Sequence, residues 1–362
     1  MDFPKYDGNI HPNEWINDFQ NYLKLITVNN NNKIESLDIA ISLIDPTISL
    51  PTGIDSFDKL RNALKKDISF DVFKNTNKRK LQSLKYNSER KGGDTSKFIS
   101  TFRKLCYNAE INDIKEQKKF LYSSLPNNQF DYISNKYYKK VENVKSINEL
   151  IREFENIVLE ESNLIRNESI VALKHVATGK YLSSISNLNY RTGSNNQMVY
   201  VGETEPNPNS LWKIQFDKEL ATYADTSIKL QHVKSNNFLG ICYEGYQGYD
   251  EIKGKIYGYH KSPATKHTEV NCSLGKEINW NWINPDKLGN SEEYLKSKDV
   301  IQISIRKLYD EGGYSTKSGP VELLRSRYDK FTLGDDEYLE VVCHENEKVN
   351  INWRIELINY SN

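Results

Sequence analysis

Val171-Ala172-Leu173-Lys174-His175-Val176-Ala177-Thr178-Gly179-Lys180-Tyr181-Leu182 is a short apolar run, a Thr-Gly turn signal and a second apolar pair. Much of it returns 57 residues later, where Leu230, His232, Val233, Phe238 and Leu239 stand at the offsets of Leu173, His175, Val176, Tyr181 and Leu182. An internal repeat of this size implies one supersecondary unit copied along the chain, with the copies stacking to bury faces that a single copy leaves exposed.

Working outward from this stretch, runs such as Ser169–Leu173, Ile228–His232 and Val300–Ile305 tend to alternate, with Gly, Asn and Pro between them. That pattern predicts short strands and turns. Each of three sections closes on a tryptophan: Leu211-Trp212-Lys213-Ile214, Asn281-Trp282-Ile283 and Asn352-Trp353-Arg354-Ile355, with Trp212, Trp282 and Trp353 spaced by 70 and 71 residues. Three such sections packed about a pseudo-threefold axis predict a β-trefoil over residues 167–362. The third section has no histidine over Val300–Leu308, Leu323-Leu324-Arg325-Ser326-Arg327 supplies its second apolar pair, and Glu244–Ser273 and Tyr309–Pro320 read as inserted loops.

Residues 1–166 have a helical apolar period instead. Pro12 opens a helix carrying Trp15, Phe19, Tyr22, Leu23 and Ile26, ended by the polar run Asn29–Asn32. Ile34, Leu37, Ile41 and Ile44 mark a second helix, stopped by Asp45-Pro46. Phe57, Leu60, Leu64 and Ile68 mark a third, and Leu81 and Leu84 a fourth that meets Gly92-Gly93. Asp94 or Thr95 caps the next, whose buried face is Phe98, Phe102, Leu105, Cys106 and Ala109. Another carries Ile114, Phe120, Leu121 and Leu125 and stops at Pro126. Ser146-Ile147-Asn148-Glu149 reads as a capping box opening a last helix, a joint over about 146–166.

Two resemblances follow from these residues. Phe3…Gly8, Pro12…Trp15-Ile16…Phe19, Phe57…Leu60…Leu64, Leu81…Leu84 with Phe98…Phe102-Arg103-Lys104-Leu105, and Phe120-Leu121…Leu125-Pro126 together resemble the Gag capsid proteins of gypsy-class retrotransposons. The resemblance implies an α-helical domain that self-associates. Tyr86 stands where that family usually has Gln, and the zinc knuckle that often follows such capsids is absent. The repeated L-x-H-V-x-x-x-x-[YF]-L segment with its later W-x-I resembles the MIR family, a trefoil module shared by protein mannosyltransferases, inositol-trisphosphate and ryanodine receptors and stromal-cell-derived-factor-like proteins. The fold expected is therefore multidomain α plus all-β: a capsid-like helical domain, then a MIR-like β-trefoil.

The chain has 362 residues, enough for two or three cores. Lys and Arg balance Asp and Glu at 49 each, with 26 against 23 in residues 1–166 and 23 against 26 in residues 167–362. That asymmetry is too small to imply an acidic or nucleic-acid partner. The basic clusters Lys78-Arg79-Lys80 and Lys139-Lys140 read as solvated helix faces without interleaved aromatic residues. The enrichment in Asn, Lys, Ile and Tyr reads as coding bias, without functional meaning. Cys106, Cys242, Cys272 and Cys343 form no C-x-x-C pair, and no His cluster has metal spacing, so no metal, cofactor or disulfide is expected. The N-terminus has no secretory pattern and no window approaches a membrane span, so a cytoplasmic protein is expected.

His175 and His232 carry the side chain most used as base or metal ligand, but their duplication in two repeats points to structural hydrogen bonding. Arg325 and Arg327 alternate on a strand and so share a face, which makes them candidates for anion recognition. Gly92-Gly93 and Gly312-Gly313 lack the spacing and lysine of a phosphate loop. No catalytic motif appears. The expected function is a non-enzymatic binding or scaffold protein, with a protein or glycan ligand on the trefoil. The alternative is a trefoil that binds a glycan or phosphorylated small molecule beside an inert helical relic.

Overall fold

The computed structural model of the protein describes residues 3–26, 33–127, 131–222, 226–250, 254–274, 278–285, 293–310, 316–345 and 349–358. The chain divides into two compact units, Met1–Ser162 and Asn163–Asn362. The polar run Asn29–Asn32 and the pair Gly312-Gly313 lie outside the described residues.

The first unit is helical: α1 (Pro12–Ile26), α2 (Lys33–Ser42), α3 (Phe57–Lys66), α4 (Ile68–Ser83), α5 (Thr95–Asn108), α6 (Ile114–Ser124), α7 (Tyr132–Val141) and α8 (Ile147–Ser162). Trp15, Ile16 and Phe19 of α1 pack with Tyr6, Ala40, Ile44, Leu60 and Leu64 in one cluster. Trp15 also donates its indole N–H to the Pro4 carbonyl at 3.0 Å. Tyr86 is buried between Phe98 and Phe154, with ring centroids at 5.0 and 5.1 Å, and its hydroxyl bonds that of Thr95.

Phe57 to Ile68 forms part of two helices, where one was expected. Asp67 is extended, its N–H donates to the Leu64 carbonyl to end α3, and its carboxylate accepts from the Ser69 N–H to open α4. Ile68 thus leaves the buried face of Leu60 and Leu64 and is 72% exposed. Leu84 follows the last residue of α4 as its cap. The Asp94 carboxylate accepts from the Lys97 N–H as a cap must. At α8 the capping box is displaced by one residue: Ser146 Oγ accepts from the Glu149 N–H, while the Glu149 carboxylate accepts from the Lys145 N–H. Helix α7 was not expected from the sequence, although it buries Ile133, Tyr137 and Val141 at four-residue steps.

The second unit contains β1 (Ile170–His175), β2 (Leu182–Asn189), β3 (Gln197–Val201), β4 (Trp212–Gln215), β5 (Ser227–His232), β6 (Phe238–Ile241), β7 (Tyr243–Asp250), β8 (Gly254–Tyr259), β9 (Thr268–Ser273), β10 (Trp280–Ile283), β11 (Val300–Asp310), β12 (Thr316–Leu333), β13 (Asp336–His344) and β14 (Asn352–Leu357). Antiparallel pairings β1–β4, β4–β5, β5–β10, β10–β11, β11–β14 and β14–β1 close a ring of six strands. The hairpins β2–β3, β6–β9 and β12–β13 form a triangular cap, joined by β3–β9, β9–β13 and β13–β3. A six-stranded barrel with three capping hairpins is a β-trefoil, and closure removes the exposed sheet edges.

The pairing registers align the repeats residue by residue. Val171, Ile228 and Ile301 are equivalent, as are Leu173, Leu230 and Ile303; Leu182, Leu239 and Leu324; and Val199, Val270 and Val341, all at most 1% exposed. The tryptophan triad is Trp212, Trp280 and Trp353, whose indole N–H groups donate to the carbonyls of Leu182, Leu239 and Leu324 at 2.9, 2.9 and 3.0 Å. The sequence assignment of Trp282 to this triad is corrected: Trp282 occupies the place of Ile214 and Ile355, two residues further on.

Two features break the symmetry. The hairpin β7–β8 is inserted between β6 and β9, so only part of Glu244–Ser273 is an insertion and β9 belongs to the common frame. Seven residues separate His175 from Leu182 and His232 from Leu239, but nineteen separate Ile305 from Leu324. The described part of Tyr309–Pro320 is β-structure, with Tyr309 opposite Lys317 and Asp310 opposite Thr316, and so extends the β11–β12 hairpin where a loop was expected.

Candidate ligand-binding site

Position in the trefoil explains the two repeated histidines. His175 lies opposite Trp353 and His232 opposite Trp212, with ring centroids 4.8 and 5.2 Å apart. His175 Nε2 bonds the Asn350 carbonyl at 2.9 Å and His232 Nε2 bonds the Asn209 carbonyl at 3.2 Å. A carbonyl only accepts, so Nε2 carries the proton, and Nδ1 accepts from Thr178 Oγ1 and from Ser235 Oγ respectively. Both rings are fully buried, and burial holds both below the ordinary histidine pKa. Each histidine therefore ties its own turn to the loop before a tryptophan strand. In the third repeat Ile305 takes this place, since Trp282 opposite Ile303 sets Ile305 opposite Trp280.

His232 adjoins a polar cleft of about 520 Å³. The walls come from the end of β2 and the turn into β3 (Ser186, Asn187, Asn189, Asn195, Asn196 and Gln197), the β5–β6 turn (Lys234, Ser235 and Asn237) and the end of β9 (Cys272, Ser273 and Leu274). These segments meet because Gln197 pairs with Cys272 across β3 and β9. The buried Gln197 amide organises the floor: Nε2 donates to Ser184 Oγ at 2.7 Å and approaches His232 Nδ1 at 3.4 Å, while Oε1 accepts from Asn237 Nδ2 at 2.7 Å.

One wall is pinned from beneath by a buried carboxylate. Glu269 accepts from the backbone N–H and hydroxyl of Ser194, and from Asn271 Nδ2 at 2.9 Å. Asn196 Nδ2 in turn donates to Asn271 Oδ1 at 3.3 Å. Burial raises the Glu269 pKa against the opposing effect of these donors. Gly193 begins the turn at φ +75°, and a Cβ there would stand 2.1 Å from Glu269 Oε2. Glu340, equivalent to Glu269 in the third repeat, holds the Ala264-Thr265 turn in the same way.

The cleft presents amides and hydroxyls, with Lys234 its one charged lining residue. Ser235 beside His232 has the spacing of an activated hydroxyl, but the same clamp recurs at Thr178 and His175, where it serves a turn. Cys272 is buried and its thiol is pushed up to about 12, so it stays protonated and unreactive. What this arrangement can do is donate and accept several hydrogen bonds to a neutral polar ligand. Among the described residues no group of three His, Cys, Asp or Glu is placed to hold a metal ion, and no helix is long and apolar enough to cross a membrane.

Neither arginine proposed from the sequence lines the cleft. Arg325 is 0% exposed, packed inside the cap next to the equally buried Ser326, while Arg327 is half-buried. The alternation expected of β12 breaks at an irregularity between Ser326 and Lys330. Trp212, Trp282 and Trp353 are core residues. The cleft residues were missed because Asn and Ser in Ser186–Asn189, Ser194–Gln197 and Ser235–Asn237 are also turn formers. The usable signal was their density in two neighbouring sections.

No protein-family model and no curated protein matches the chain. Solved structures similar to it include the SDF2-like protein from Arabidopsis thaliana (19% identity over 55% of this chain and 99% of that one, TM-score 0.40). Another is the S. cerevisiae protein O-mannosyltransferase Pmt1-Pmt2 complex bound to the sugar donor (17% identity, 94% of this chain and 38% of that one, TM-score 0.37). A third is the Rhizoctonia solani agglutinin (13% identity, 54% of this chain and 97% of that one, TM-score 0.28). All three TM-scores are below 0.5, and the trefoil assignment rests on the strand pairing described above.

Proposed function

We propose that the chain is a non-catalytic binding protein whose trefoil takes a neutral, hydroxyl-rich ligand of the glycan class in the cleft between its first two repeats. The observation that carries this reading is the amide set Asn196, Asn237 and Gln197, held in place by the Gln197 and Glu269 networks, with Asn187 and Asn189 lining the same cleft. Sugar hydroxyls both donate and accept, and so do amides, so each contact replaces hydration without burying an unpaired charge. The MIR-like repeat pattern supports a recognition module. A phosphorylated ligand is less well matched, because Lys234 is the one cation in the cleft.

A glycan array probed with the full chain tests the proposal. Binding to a restricted set of glycans, weakened roughly two- to tenfold by Asn237→Ala with the thermal transition retained, is the expected result; each lost hydrogen bond is worth ~0.5–1.5 kcal/mol. Silence across the array, or glycan binding indifferent to Asn237→Ala and Asn196→Ala, overturns it. Self-association of the helical unit is a separate proposal, supported by the capsid-like resemblance. Light scattering of the full chain over a concentration series checks it, and a strict monomer removes it.

A further inference from the structure

The helical unit carries a second concavity, with different chemistry. A groove of about 720 Å³ runs between α6 and α7, lined by Lys115, Lys118, Lys119, Tyr122, Tyr138 and Lys139, among others. Four lysines face it against one carboxylate, that of Glu142. Lys115, Lys119 and Lys139 are exposed. Lys118 Nζ donates to the Glu142 carbonyl at 2.9 Å, which leaves its charge at the groove while fixing its position. Among the described residues no carboxylate ion pair neutralises Lys115, Lys118 or Lys119.

Between the lysines stand tyrosine rings. Tyr137 is buried and donates its hydroxyl to the Lys118 carbonyl at 2.9 Å, which locks α7 to α6. Tyr122 packs against it at 5.8 Å and against Tyr138 at 4.4 Å. Tyr138 is 61% exposed, a large aromatic surface left in solvent at the mouth of a basic groove. One side of its ring packs on Tyr122 and the rest faces solvent.

We infer that this groove binds single-stranded nucleic acid, with bases stacked on Tyr138 and Tyr122 and phosphates met by Lys115, Lys119 and Lys139. Cations alone would suit any polyanion. Aromatic faces at the same spacing add a term that only an unpaired base can use, since a duplex keeps its bases stacked on each other. The volume lies within the ~300–1,000 Å³ typical of ligand clefts. The linear sequence hides the patch because it is built from two helices: Lys139-Lys140 reads as a solvated cluster until α7 folds it beside Tyr122.

The test is fluorescence anisotropy of a labelled oligouridylate with the full chain, at about 50 and about 200 mM salt. Three phosphate contacts on a single strand predict an affinity that falls roughly twentyfold between those salts. Tyr138→Ala is expected to weaken binding by roughly fivefold to a hundredfold, the range for one stacked base, while Tyr138→Phe keeps it. Lys119→Ala is expected to weaken binding and flatten the salt dependence, whereas Lys66→Ala on α3 does neither. No binding at the lower salt overturns the inference. So does binding that ignores Tyr138→Ala, or competition of equal strength from a duplex or a polyglutamate peptide, which would mark a general polyanion or acidic-protein surface. These substitutions are on exposed side chains, and circular dichroism melts confirm that each variant is folded.

Discussion

At the scale of single residues, the trefoil is fixed by buried groups that recur at equivalent places. Trp212, Trp280 and Trp353 each satisfy one carbonyl of the neighbouring apolar pair. Replacing any one by Phe leaves that carbonyl buried without its donor, so each substitution is expected to cost ~1–3 kcal/mol, and to cost similar amounts in all three repeats. Chemical denaturation followed by circular dichroism measures this, and a Trp280→Phe cost near zero would contradict the equivalence. The sequence showed the tryptophan repeat but assigned its middle member to Trp282. Inward positions alternate on β10, both Trp280 and Trp282 point inward, neither is followed by isoleucine two residues on, and the even spacing of 70 and 71 residues favours the wrong one. No local pattern separates them; the indole's acceptor does. Gly193 gives a sharper residue-scale test. Alanine there is strained at φ +75° and drives its Cβ into the Glu269 carboxylate. The Gly193→Ala variant is expected to lose ~1–3 kcal/mol in the same denaturation measurement, together with cleft binding, because the turn holding Asn195 and Asn196 must move.

At the scale of elements, the third repeat shows how the frame tolerates departure. It lacks the histidine clamp, and Ile305 and Leu324 stand nineteen residues apart where the other repeats have seven, so its hairpin β11–β12 is twelve residues longer. Inside that extension Lys307 and Glu322 form a cross-strand ion pair at 2.7 Å, with side chains only 8% and 7% exposed. Tyr259 from the inserted hairpin packs over it, with Lys307 Nζ 5.2 Å from its ring and its hydroxyl donating to the Leu308 carbonyl at 2.7 Å. A buried pair loses hydration on both sides, so its worth is tested by breaking it in two ways. Lys307→Met alone strands a carboxylate and is expected to cost ~3–5 kcal/mol, whereas Lys307→Met with Glu322→Leu is expected to be near neutral or stabilising. Equal losses in the single and double variants would contradict this account. Composition and spacing read this region as a loop because its charged and Gly-rich residues lack strand character. The pairs that make it a hairpin, from Arg306 opposite Val321 to Asp310 opposite Thr316, are local, but no apolar alternation marks them. A local feature also goes unmarked at Asp67, where one extended residue splits an otherwise continuous helical period, and at α7, where the face Ile133, Tyr137 and Val141 stands among other Tyr and Lys residues.

At the scale of the whole molecule, the histidine clamps give the trefoil a pH dependence that the helical unit can be kept out of by the choice of probe. Four of the five tryptophans, Trp212, Trp280, Trp282 and Trp353, belong to the trefoil and only Trp15 to the helical unit, so indole fluorescence reports mainly the trefoil. His175 and His232 are held neutral by burial, and His267 is lowered by burial and by the charges of His344 and Arg325. A histidine whose folded pKa is depressed leaves the unfolded state binding more protons below the ordinary value of about 6.5, so stability is complete above that pH and falls as the pH drops below it. Glu269 acts in the opposite sense, since its raised pKa lowers stability as the pH climbs above the ordinary carboxylate value. It contributes one group against at least two. Stability of the trefoil is therefore expected to rise from about pH 5 to about pH 6.5 and to level off above pH 7. His175 and His232 together supply up to ~2.7 kcal/mol per pH unit where both remain neutral in the folded state. Urea denaturation read by indole fluorescence at several pH values measures the slope. The double variant His175→Gln, His232→Gln is expected to be less stable at pH 7 and flatter below it, because glutamine takes up no proton. A slope undiminished by this substitution would place the titration elsewhere and leave the clamps as neutral ties with no part in it.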